Sequence, residues 1–107
     1  MARPVYSITI VDLAPALANN YVVVPDGVRI ILRDVDAYEE SGTNGTVMSV
    51  QNAAGGNLVV FQRTAATPTG PWQWRGRQVY NPGESINFHV FSGTWSVMAS
   101  GYELTLT

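Results

Sequence analysis

Cysteine and lysine are both absent from this chain of 107 residues, and histidine occurs once, at position 89. Without cysteine there is no disulfide, no zinc–thiolate site and no thiol nucleophile. Without lysine a Gly-x-x-x-x-Gly-Lys loop cannot form, so a P-loop nucleotide site is excluded. A single histidine cannot build an ordinary zinc site. As the base of a Ser–His–Asp triad, His89 has no Gly-x-Ser-x-Gly elbow to supply its nucleophile. Charge is scarce as well, at 13% of residues against about 25% in an average soluble domain. The net charge of −2 leaves no electrostatic footprint for nucleic acid. No apolar run approaches the roughly 18 residues that a membrane-spanning helix needs. The composition therefore argues against an enzyme, a nucleic-acid binder and a membrane-spanning helix, and no cofactor is expected.

What is present is apolar, at 46% of residues, which together with the low charge excludes a disordered tail and fits one domain over residues 1–107. All positive charge is arginine: Arg3, Arg29, Arg33, Arg63, Arg75 and Arg77. A GC-rich coding sequence accounts for that bias. The physical consequence is the same either way, since arginine suits planar, packed contacts better than hydrated lysine does. A surface with few charges also tends to associate. The first ten residues, MARPVYSITI, alternate instead of forming the basic start and apolar run of a signal peptide. A soluble protein made in the cytoplasm is the expectation.

Period-two alternation dominates, and long helical periodicity is missing. Tyr6, Ile8 and Ile10 alternate with Ser7 and Thr9. Val28, Ile30 and Leu32 alternate with Arg29 and Arg33 in a run that extends toward Tyr38. Ile86, Phe88 and Val90 alternate with Ser85, Asn87 and His89. Trp95, Val97 and Ala99 form another run, and Tyr102, Leu104 and Leu106 a closing one. Shorter β-rich runs lie at 21–24, 46–51, 57–62 and 73–79. Turn chemistry separates them: Pro25-Asp26-Gly27, Asn81-Pro82-Gly83, Gly55-Gly56-Asn57 and Ser92-Gly93, with Asn44-Gly45 as a type I′ hairpin signal. One helical turn is expected over 12–18, limited by Pro15. Eight or nine short strands at this spacing predict an all-β fold, an antiparallel two-sheet β-sandwich of jelly-roll type. Ile30, Leu32, Phe88, Val90, Leu104 and Leu106 are the expected core. Residues 63–72 have no periodicity and read as a long loop, the kind that is often functional.

Three patterns invite a chemical reading. The acidic run Asp34, Asp36, Glu39 and Glu40 has the oxygen density for calcium but not the spacing of an EF-hand loop, so a solvated strand end, or acids paired with Arg29 and Arg33, is preferred. Asn44-Gly45-Thr46 matches a glycosylation acceptor but is read as a turn. Trp72, Trp74, Arg75 and Arg77 are the candidate interface. In an extended segment both indoles share one face, and tryptophan with arginine is the composition of a binding hot spot. The competing readings are two indoles capping a small core, or a sugar-stacking platform.

Residues 22–38, VVVPDGVRIILRDVDAY, resemble a recurring phrase in small β-sandwich virion proteins of tailed phages that infect actinobacteria. Residues 74–86, WRGRQVYNPGESI, and 100–104, SGYEL, are similar to the closing strands of the same group. The resemblance spans roughly residues 21–106 and rests on turn and strand signatures, so it transfers no active-site residue. It implies a non-enzymatic structural protein of the virion, synthesised in the host bacterial cytoplasm. A minor tail protein is preferred, with capsid decoration as the alternative. The implied partners are the protein itself, as a homo-oligomer with a trimer expected, and other virion proteins. A carbohydrate-binding module that recognises host-envelope glycans through Trp72 and Trp74 is the rival of a different class.

Overall fold

The alternating runs become strands, the last two of them a single one. The computed structural model describes residues 8–41, 44–64 and 72–106. Its eight strands are β1 (Ile8–Leu13), β2 (Asn19–Val23), β3 (Val28–Glu39), β4 (Val47–Gln51), β5 (Asn57–Gln62), β6 (Trp72–Tyr80), β7 (Ser85–Val90) and β8 (Trp95–Thr105). They form two four-stranded antiparallel sheets, ordered β1-β8-β3-β6 and β2-β7-β4-β5. The pairing is nested: β1 with β8, β2 with β7, β3 with β6 and β4 with β5. That is a long hairpin rolled up on itself, the jelly-roll form of the β-sandwich. Only β4 and β5 join as a simple hairpin, and every other connection described crosses between the sheets.

The spine of the first sheet is β3, whose twelve residues pair with both β8 and β6. Strict alternation fails along it. Ile30 and Leu32 face the core at even positions, whereas Val35, Ala37 and Glu39 face it at odd ones. The switch occurs between Leu32 and Asp34, where Arg33 is an extra residue opposite β8. Such a bulge shifts the phase of the strand and lets both halves bury their apolar side. Strand β1 carries a matching irregularity between Thr9 and Val11, also opposite β8. Gly101 lies between the two irregular strands. A Cβ there would overlap the Ile31 carbonyl oxygen, so the crowding admits only glycine.

The core draws on both sheets, with Leu32, Val35, Tyr80, Trp95 and Val97 from one and Met48, Val50, Ile86 and Phe88 from the other. Polar contacts close the two ends of the sandwich. At one end the Tyr80 hydroxyl donates to the Gln51 carbonyl across the sheets at 2.8 Å. Burial, with the Glu84 carboxylate adding to it, pushes this phenol up to about 12, so it remains a donor at any ordinary pH. At the other end the indole N–H of Trp95 donates to the Ser92 carbonyl at 2.9 Å.

Four expectations need correction. Leu104 and Leu106 are 45% and 38% exposed, and Val90 is only half-buried. The residues read as two closing runs lie largely in one strand, β8, which buries its odd positions from Trp95 to Gly101 and turns Leu104 out. Residues 12–18 form no helical turn: Asp12 and Leu13 pair with Met98 and Val97, and Ala16 N–H donates to the Trp95 carbonyl at 2.7 Å. Asn44-Gly45 is not a hairpin turn, because β3 and β4 belong to different sheets. Only its glycine has positive φ, at 82°. Tyr6 and most of the 63–72 loop lie outside the described residues.

Leu32 is fully buried at the centre of the core, so Leu32→Ala should cost about 2–5 kcal/mol in urea unfolding. Gly101→Ala should cost about 3 kcal/mol or more, because the obstacle is backbone and has no rotamer to move. A Gly101→Ala variant as stable as the parent would show that the bulged strands are not packed against β8 in this way.

Candidate functional surface

Charge divides the two sheets. Strands β2, β4, β5 and β7 contain no aspartate, glutamate or arginine, and every charged strand residue belongs to the β1-β8-β3-β6 sheet. Pairing register and burial place most of these charges on the outer face of that sheet. Beyond the β3 bulge the face is acidic: Asp34 and Asp36 come from β3, and Asp12 from β1. Arg75 of β6 lies among them, with Nε 3.1 Å from Asp34 Oδ1 and Nη1 3.3 Å from Asp36 Oδ1. Before the bulge the face is basic, carrying Arg29 and Arg33 from β3 and Arg77 from β6. Arg29 donates to the Asn81 side chain at 2.8 Å. Among the described residues Arg29, Arg33, Arg77 and Asp12 form no ion pair.

The acidic half holds an open depression of about 210 Å³, lined by Asp12, Asp36, Tyr38, Ser96 and Met98 with the strand backbone at Ala37 and Val97. Register explains it. Asp12 and Asp36 stand opposite Met98 from either side, which sets the two carboxylates two strand spacings apart, roughly 10 Å. Tyr38 and Met98, 45% and 48% exposed, supply its apolar walls.

The acidic run singled out in the sequence is thus split. Asp34 and Asp36 do share one face, but they pair with Arg75 and not with Arg29 or Arg33. Glu39 turns the other way and is completely buried. It accepts hydrogen bonds from the backbone and hydroxyl of Ser41, and Arg63 Nη1 lies 3.3 Å away. Burial by itself raises this carboxyl. The bonds from Ser41, Thr46 and Arg63 more than offset it and hold the group below its ordinary value. Arg63 follows β5, so this ion pair ties one sheet to the other beside the β3–β4 crossing.

The four residues of the expected interface do not form one patch. Trp72 and Trp74 are half-buried and pack against the core. The Trp72 ring stands 5.2 Å from that of Trp95. The Trp74 indole lies over Gly76, where a Cβ would come within 2.7 Å of it. Arg75 and Arg77 point to the opposite side, into the charged outer face. The sequence reading missed Asp12 as a member of that face, because it fell in the segment read as a helical turn. The outer face of the other sheet is neutral: Asn87 of β7 donates to Gln51 at 3.1 Å, and His89 shares a 2.7 Å hydrogen bond with Asn19. Tyr21 and Phe91 stand exposed on it.

Comparison of the chain with protein-family models, curated proteins and solved structures found no match.

Two outcomes follow. The Glu39 carboxyl lies below 4.5 when folded and near 4.5 when unfolded. Its contribution is therefore complete above about pH 4.5 and is lost as pH falls through the lower folded value. Compared with Glu39→Gln in urea melts, the parent should show its largest advantage near neutral pH and lose it on acidification. A pH-independent gap would mean that the carboxylate is not held in its charged form. Trp72→Ala should lower the melting temperature of the isolated domain and cost about 2 kcal/mol, because the half-buried ring packs against the core.

Proposed function

We propose that this chain is a non-enzymatic structural subunit of a tailed-phage virion, placed on the tail as a minor tail protein in preference to the capsid surface. The observation that carries the reading is the segregation of charge onto one face of a small jelly roll. A rigid sandwich with one charged, patterned face and one neutral face can be oriented between neighbours. The resemblance to actinobacterial phage virion proteins supports the same reading. In this reading the protein acts by packing: copies associate with one another and with larger virion proteins, and no chemistry on a substrate is required.

A glycan-binding role is the second reading. Since both tryptophans pack inward, the neutral outer face of the β2-β7-β4-β5 sheet, with its amides and exposed Tyr21 and Phe91, now favours it. A glycan binder would respond to cell-wall oligosaccharides by shifts confined to that face and would be indifferent to changes at Arg75 and Arg77.

Quantitative mass spectrometry of purified virions tests the structural reading. A few copies per particle, in multiples of a tail symmetry, support the tail, and copies in the hundreds support capsid decoration. Absence from particles overturns both. The double variant Arg75→Ala with Arg77→Ala should remain folded, because exposed ion pairs contribute less than about 1 kcal/mol, while its incorporation into virions falls. Normal incorporation of the folded double variant would remove these arginines from the interface.

A further inference from the structure

We infer that the free edge of β2 is a self-pairing strand, to which β2 of a second copy of this chain adds antiparallel about a two-fold axis, with Tyr21 meeting its own counterpart. The inference rests on the assembly reading above and names the partner and the contact. Along an antiparallel strand, alternate residues direct their backbone groups to opposite sides. The Ala18 carbonyl accepts from Val90 N–H, and Val24 N–H donates to the Glu84 carbonyl, each at 2.9 Å, so the even residues serve β7. The N–H and C=O groups of Asn19, Tyr21 and Val23 therefore point away from β7, at the end of the β2-β7-β4-β5 order, where no described strand pairs with them. This run is closed at both ends. The Asn20 side chain accepts from Leu17 N–H at 2.9 Å and donates to the Leu17 carbonyl at 2.7 Å, while Pro25 has no N–H to give. Exposed apolar surface lies in the same place: Leu17, Tyr21 and Val23, at 71%, 64% and 61%, are the most exposed large apolar side chains described.

The other three edges are guarded by the devices that ordinarily keep strands from pairing with strangers. Strand β1 has Ile10 as an extra residue and carries Asp12. Strand β5 has Leu58 as an extra residue. Strand β6 is irregular opposite the β3 bulge and carries Arg75 and Arg77. Of the four edges, only β2 is both regular and uncharged. Symmetry then selects the occupant. A two-fold axis normal to the sheet and midway between two antiparallel strands lets a strand pair with its own copy. Centred on Tyr21, that register sets Tyr21 against Tyr21 and Asn19 against Val23 of the second copy, twice. All three are hydrogen-bonded pairs, so every free group on both edges is used. Sliding the copies by two residues sets Val23 against Leu17, or Asn19 against Pro25, and loses a pair. A two-fold axis also brings like charge to like, a penalty absent here because neither β2 nor β7 holds an acid or an arginine. The facing phenol rings add an aromatic cross-strand contact. A two-fold contact makes the dimer the unit, where the sequence alone pointed to a trimer.

Opposite charges at the self-facing position test this with the full chain. The Tyr21 side chain is exposed, so Tyr21→Lys and Tyr21→Glu should both stay folded by circular dichroism. Each variant alone should dimerise at least about tenfold more weakly than the parent in analytical ultracentrifugation, since like charges meet at the axis. Their equimolar mixture should associate at least about fivefold more tightly than either variant alone, because the facing charges are then opposite. In the parent, the amides of Asn19, Tyr21 and Val23 should gain protection from hydrogen exchange as concentration rises, while the edge amides of β6 do not. A monomeric parent, a dimer indifferent to Tyr21→Lys, or a mixture no tighter than its components overturns the inference. The last two place any self-contact on another surface. A monomer that is nevertheless found in virions removes the pairing and keeps the structural reading. A dimer that passes the mixing test but is absent from virions does the reverse.

Discussion

One extra residue in one strand sets the character of this domain. Strand β3 is twelve residues long and central in its sheet, and without a break its alternation would bury Asp34 and Asp36 and expose Val35 and Ala37. The bulge at Arg33 reverses the phase, so Ile30 and Leu32 are buried before it and Val35, Ala37 and Glu39 after it. The same reversal puts Arg33 and Asp34, adjacent in sequence, on the same outer face. Core continuity and surface charge polarity therefore have one cause. The irregularities in β1 and the glycine at 101 in β8 are the accommodation that neighbouring strands make to it.

The sandwich is then closed by contacts that join the sheets and not merely by apolar contact. The Tyr80–Gln51 bond at one end and the Glu39–Arg63 pair at the other both bridge from one sheet to the other. The Tyr80 hydroxyl and the Glu39 carboxylate are buried polar groups satisfied in place, and each is costly to leave without its partner. Glu39 has a further consequence. Because it occupies an inward position beside Trp95, the acidic run is divided, and what remains outside is a pair of aspartates bridged by one arginine. That leaves Asp12 across Met98 with its charge available.

Much of this was legible in the sequence and some was not, for definite reasons. Alternation located β5 at its observed bounds and most other strands to within one or two residues, because half-buried strands write their facing into period two. The face of Leu104 was misread because the apolar residues switch from odd positions at 95, 97 and 99 to even ones at 102, 104 and 106 across Gly101. In the folded chain that glycine is required by close packing within a continuous strand. Asn44-Gly45 carries the local chemistry of a tight turn, but local chemistry does not state which strands the turn joins, and β3 pairs with β6 and β8 instead of β4. Arg75 and Arg77 were singled out from composition, and the fold places both on the charged outer face. Their separation from Trp72 and Trp74 follows from the pleat, which sends neighbouring residues to opposite faces. The ion partners of the acids depend on strand order, which no local pattern encodes.

The contrast between the two outer faces bears on how such a domain can be specific. The neutral face has its amides and imidazole paired laterally with one another, so covering it requires little desolvation but imposes little orientation. The charged face is the reverse: bringing another surface to it is unfavourable unless charges match. Exposed Tyr21 and Phe91 can supply affinity of a non-directional kind, whereas Asp12, Asp36 and the arginines before the bulge can supply direction. An assembly that needs both adhesion and a fixed angle between subunits is served by keeping these properties on opposite sheets. The sequence does so by confining every strand charge to β1, β3, β6 and β8.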